Sequence, residues 1–246
     1  MKPLLILTLL LSSLTPVDCA NANGFLAGNF QGSQSQDVDE FLSRWKDQRH
    51  TNLLANATWT LTHNYSDSKR VGEVLDTVKS YFEAFEKYER GDRSSLAQMG
   101  GVKAFKDKLA GWLDDDDQAV RAFAAVMLGI SGDNSYAPQL ANLLKGREYK
   151  HSDRLHYDRG RAATALGVVG AKEYIPALVA LLNSSNQFDR SGAAYGLGFL
   201  KAKDQAQAIA ELLNDKDERV RTAAKESLEL MGAGELIKDK RAGKPQ

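Results

Sequence analysis

Apolar residues recur along most of this chain at intervals of three and four. From Asp67 to Arg90, Val71, Val74, Leu75, Val78, Tyr81, Phe82, Phe85 and Tyr88 share one face of a helix for five turns, and Gly91 stands where that helix should end. A second stretch of this kind opens at Asp37 with DVDEFLSRWKDQ. Its acidic residues occupy the first turn, and Phe41, Leu42 and Trp45 share a face. Between the two, Thr58 to Asn64 alternates over a short run and is read as loop. Upstream, NGFLAGNFQGSQSQ (Asn23 to Gln36) has no periodicity and reads as a flexible leader.

After Gly100 and Gly101 the pattern repeats itself. With Leu128, Leu166, Leu197 and Leu228 in register, Arg121, Arg159, Arg190 and Arg221 fall seven residues earlier and Ala124, Ala162, Ala193 and Ala224 four earlier. Ile130, Val168, Phe199 and Leu230 fall two later. Shorter apolar helices lie between these segments, at 137–144, 175–182 and 206–213, so each unit is helix, turn, helix. The leucines are 38, 31 and 31 residues apart, a period that predicts stacked helical hairpins. A hairpin this small cannot bury its apolar stripe alone; it must lay the stripe on its neighbour. Recurrent alanines, with Gly192 and Gly196, let the helices approach while the leucines fill the seams. The expected fold is therefore all-α, an α-solenoid with a helical N-terminal cap.

ERVRTAAKESLELMGA (218–233) and YIPALVALLN (174–183) resemble the second and first helices of the HEAT-repeat family, in the short variant known from phycobilisome lyases. The resemblance runs from Val102 to Ala233 and implies a HEAT-like array. The expected organisation is 1–22 signal peptide, 23–36 leader, 37–100 helical N-terminal region, 101–235 repeat array and 236–246 polar C-terminal tail.

The signal peptide is read from MKPLLILTLLLSSL: one Lys, an apolar run from Leu4 to Leu11 too short to span a bilayer, then Ala20 and Ala22 as a small-x-small site for cleavage after Ala22. A periplasmic or secreted destination follows as an expectation. A lipid-anchored alternative would use Cys19, the one cysteine, but Pro16-Val17-Asp18 lacks the residues of a bacterial lipobox. With Cys19 removed, disulfides and thiolate chemistry are excluded from the mature chain. The 32 basic and 32 acidic residues cancel, so no global field favours nucleic acid.

Catalytic, cofactor and metal motifs are not found. Asp114 to Asp117 lacks the Gly and distal Glu of a calcium loop and is expected to cap the helix near Gln118. The recurrent arginines are expected to form a structural ladder, with Asp117 and Asp217 as partners for Arg121 and Arg221. None of His50, His63, His151 and His156 precedes a Glu, whereas deoxyhypusine hydroxylase, which the repeats also resemble, holds iron with His-Glu pairs. His151 and His156, with Asp153 and Asp158, offer at most an opportunistic metal site. Gly129-Ile130-Ser131-Gly132 misses the spacing of a nucleophile elbow. Asn56, Asn64 and Asn183 begin glycosylation triplets.

What remains is a protein-binding scaffold. Its partner is expected on a concave face of the second helices, where the repeats differ: Phe123 and Val126, Arg161 and Thr164, Tyr195, and Glu226. The first leucine spacing is longer than the others by an insertion within Lys145 to Arg161, which adds Tyr149, Arg154 and Tyr157 as expected contacts. An inhibitor or immunity-type partner of an exported toxin or enzyme is the alternative among binding proteins; a lyase-like enzyme or cofactor assembly factor is the alternative of another class.

Overall fold

The periodic stretches fold as helices, and the fold is all-α. The computed structural model describes residues 32–46, 53, 57–58, 61, 68–146 and 157–242, with no strand among them. They fall into two compact units divided after Lys108.

The first unit contains α1 (Gly32–Lys46), α2 (Ser68–Glu89), α3 (Ser94–Gln98) and the start of α4 (Gly101–Trp112). Its core is aromatic. The Phe41 ring lies 5.2 Å from Phe85 and 6.1 Å from Phe105, and Tyr81 lies 4.6 Å from Phe105. Phe41, Tyr81 and Phe85 come from the helix faces that the periodicity marks, Phe105 comes from α4, and at such separations tilted and edge-on pairs add to the stabilisation from burial. The Tyr81 hydroxyl donates to the Met99 carbonyl at 3.0 Å, so its polar end is satisfied within the cluster. Gly91 ends the α2 turn at φ 97°, where an L side chain would be strained. Asp92 then accepts from the Ser94 and Ser95 hydroxyls, and those hydrogen bonds hold its carboxyl down to about 2. Two readings are corrected here: α1 starts ahead of Asp37, and Thr58 and Leu61 are helical and buried, not loop.

The second unit holds the repeats. Its long helices are α5 (Gln118–Ser131), α7 (Asp158–Val168), α9 (Gln187–Phe199) and α11 (Glu218–Met231). The short ones are α6 (Ala137–Leu144), α8 (Ile175–Leu181) and α10 (Ala206–Glu211), each preceded by a single 3-10 turn. Long helices stack in order, α5 on α7 on α9 on α11, and each short helix packs on the long helix that follows it. All four registered leucines and all four registered alanines are fully buried. The last described element is α12 (Glu235–Ala242), whose Ile237 is buried, so the expected polar tail is helical as far as Ala242.

Glycine sets the closest approach. A Cβ on Gly160 would overlap the Phe188 carbonyl, one on Gly192 the Gly160 carbonyl, and one on Gly167 the Gly196 backbone. The α7–α9 seam thus rests on backbone-to-backbone contact that only a missing side chain permits. The α5–α7 and α9–α11 seams are built from Gly129 against Ala165 and from Gly198 against Ser227, where small side chains suffice.

The arginine ladder is present, with partners one repeat further on. Arg121 Nε donates to Asp158 at 2.9 Å, Arg159 pairs with Asp189, and Arg190 forms two bonds of 2.8 Å to Asp215. Three of the four also tie down their own preceding turn. Arg121 donates to the Asp115 and Asp116 carbonyls, Arg190 to Ser184 and Ser185, and Arg221 to Asp215 and Lys216. Asp117 and Asp217, the expected carboxylate partners, serve as N-caps, accepting from the amides of Ala119 and Arg219.

Candidate interaction surface

The 31-residue register carries beyond the core. On α9, Phe188, Ser191, Tyr195 and Phe199 are half-buried; 31 residues later on α11, Arg219, Thr222 and Glu226 are exposed and Leu230 is half-buried. Each set follows helical spacing, so each is one stripe, and the two stripes lie side by side. On α7 the stripe continues through Arg161 and Val168, both half-buried.

Cross-helix contacts join these positions in rows. Tyr157, Phe188 and Arg219 share a register position: the Tyr157 and Phe188 rings meet edge to face at 5.9 Å, and the Arg219 guanidinium lies 4.8 Å above the Phe188 ring. In the next row the Tyr195 hydroxyl donates to Glu226 at 2.8 Å. A third row, Val168, Phe199 and Leu230, is uncharged. The surface is therefore apolar along one side and charged along the other.

Burial, and then the hydrogen bond to Glu226, pushes the Tyr195 hydroxyl above the ordinary tyrosine range. Burial together with the nearby carboxylates of Asp117 and Asp158 does the same to Tyr157. Both phenols keep their protons at neutral pH. Burial lowers the Arg161 pKa against the milder opposing influence of Tyr157 and Tyr195. The surface thus presents a guanidinium, hydroxyl groups and ring edges. Among the described residues no group of three or more His, Cys, Asp or Glu could hold a metal ion, and no helix is long and apolar enough to cross a membrane. His151 and His156 lie outside the described residues.

The expected contact residues separate into three groups. Arg161, Tyr195 and Glu226 lie on the surface. Phe123 and Val126 are 0% and 2% exposed, because α5 is buried from Ala119 to Ser131; they are core residues, and the apolar anchors expected there are withdrawn. Thr164 is also buried, its hydroxyl 3.2 Å from the Gly160 carbonyl and 3.3 Å from that of Gly192, so it serves the α7–α9 seam. Tyr157 is buried and supports Phe188 from behind instead of presenting itself. Tyr149 and Arg154 lie outside the described residues.

Sequence reasoning missed Phe188, Phe199 and Arg219. The register held the signal: Phe188 and Arg219 both stand nine residues before a registered leucine. Phe199 shares its register position with Ile130, yet Ile130 is buried and Phe199 is half-buried.

Comparison with known families matches residues 148–229 to HEAT repeats, a span that includes all of α7 to α10 and most of α11. Among solved structures, a chain from the complex of CpcE and CpcF of phycocyanin lyase from Nostoc sp. PCC7120 is similar, at 20% identity and a TM-score of 0.46, covering 92% of this chain and 77% of that one. No curated protein matches the chain significantly.

Proposed function

We propose that this HEAT-repeat scaffold is exported and holds another protein, without chemistry of its own, through the stripe shared by α7, α9 and α11. The observation that carries this reading is the set of half-exposed rings on α9, Phe188, Tyr195 and Phe199. Rings bury a large area for few rotatable bonds, which is why aromatic residues anchor the centres of interfaces. Arg219 and Glu226 beside them supply the polar rim that such centres have. Export is supported by the N-terminal apolar run and the small residues Ala20 and Ala22.

Site-specific crosslinking tests the reading. A photoreactive side chain replaces Phe199 in one variant and Ala180, exposed on α8, in another, and both are expressed in the host. One crosslinked protein from position 199 and none from position 180 is the expected result. Equal yields at both positions, or no crosslink at either, would overturn it.

A further inference from the structure

Six described arginines lie on the four long helices, and five of them are engaged, Arg219 with the Phe188 ring and, at 3.9 Å, with Asp217. Arg121, Arg159 and Arg190 bind carboxylates, and Arg221 binds turn carbonyls. Arg161, two residues beyond a ladder arginine, differs. Its main-chain amide bonds to the Tyr157 carbonyl within the helix, but among the described residues its side chain makes no hydrogen bond or ion pair. The side chain is nonetheless half-buried, and burial depresses its pKa, so water compensates its charge incompletely. A cation held in this way is costly unless an anion meets it.

We propose that Arg161 receives a carboxylate of the bound protein, from an Asp or Glu whose apolar neighbour in the same segment packs on the α9 rings. This rests on the reading of the stripe as the binding surface and adds the chemistry of what it binds. Three observations select a carboxylate. Arg219 already has Asp217 at 3.9 Å, so the guanidinium of Arg161 matches one further negative charge, and its planar fork fits a carboxylate with two parallel bonds. Glu226 stands just beyond the Tyr195 hydroxyl that binds it and opposes a doubly charged group such as phosphate. The uncharged row of Val168, Phe199 and Leu230 accepts an apolar side chain next to the acid, so the favoured segment alternates acidic and apolar residues.

Small probes test this on the full chain. With arginine labelled by nitrogen-15, the Arg161 Nε–H resonance is assigned by its loss in Arg161→Lys. Phenylacetate, a ring bearing one carboxylate, is then compared with its neutral analogue phenylacetamide and with phenyl phosphate. Phenylacetate should shift the Arg161 resonance saturably and phenylacetamide should leave it in place. Arg161→Gln, checked for unchanged melting, should bind phenylacetate about tenfold or more weakly, the factor expected from a charge-assisted hydrogen bond. Should that variant melt early, the comparison of the two probes on the unaltered chain decides alone. An unmoved Arg161 resonance, equal binding of acid and amide, or tighter binding of phenyl phosphate overturns the proposal. If both ring compounds shift the signals of Tyr195 and Phe199 but not that of Arg161, the carboxylate site falls while the binding surface stands.

Discussion

Helices α5 and α11 occupy the same position in the repeat and have opposite fates. In α5 every residue from Ala119 to Ser131 is buried; in α11 only Val220, Ala223, Ala224, Ser227, Leu228 and Met231 are. The registered alanines and leucines are buried in both helices, so the difference lies at the remaining positions. Val126 is buried in α5 where Glu226 is exposed at the same register position of α11, and Ile130 is buried where Leu230 is half-buried. A repeat register therefore identifies which residues hold the stack together. It does not say which of the others meet water, since that depends on what lies beyond the repeat.

The largest expected effect breaks this comparison directly. Phe123→Ala should destabilise the protein by about 3–5 kcal/mol in denaturant unfolding, the usual result of emptying a buried aromatic site. Glu226→Ala, in the equivalent stripe on α11, should stay within about 0.5 kcal/mol. Similar losses at both would mean that the two stripes share one environment.

The ladder offers the next contrast. Arg121 and Asp158 have side chains only 2% and 4% exposed, so Arg121→Met leaves a buried carboxylate without that guanidinium and should cost about 3 kcal/mol or more. Among the described residues Arg221 reaches turn carbonyls only, one of these bonds exposed, and Arg221→Met should cost about 1 kcal/mol or less. Calorimetric melting of the two variants side by side measures the difference.

Acid sharpens the same point at Asp215. Its hydrogen bond from Arg190 holds the carboxyl below its ordinary range, so the folded state binds that proton less readily than the unfolded chain does. The stabilisation is fully present above the unfolded value of about 4 and is lost as pH falls through the lower folded value. Asp215→Asn should be less stable at neutral pH and should flatten the decline below about pH 4. An unchanged acid limb in pH-dependent unfolding would remove this pair from the account.

The smallest expected effect is a gain. Gly132, Gly170 and Gly232 end α5, α7 and α11 in the left-handed region, and Lys201 takes that position after α9 at φ 51°. Lys201→Gly should relieve the side-chain strain and raise stability by about 0.5–1 kcal/mol, read from the denaturation midpoint.

Much of this molecule was determined by local pattern. The periodicity of Val71 to Phe85, the leucine register and the caps at Asp117 and Asp217 are short-range properties, fixed by the helical turn and by the unpaired amides at a helix start. The four buried leucines followed from them. The tertiary structure alone decided three other matters. Arg121 and Arg190 reach carboxylates of the next repeat, Asp158 and Asp215, because stacking sets those groups 2.9 and 2.8 Å away. Thr164 became a seam residue because Gly160 and Gly192 let two backbones close on it. Phe123 was buried while Tyr195, Phe199 and Arg161 kept a surface, because exposure belongs to the neighbours that a side chain meets and not to its own position in the repeat.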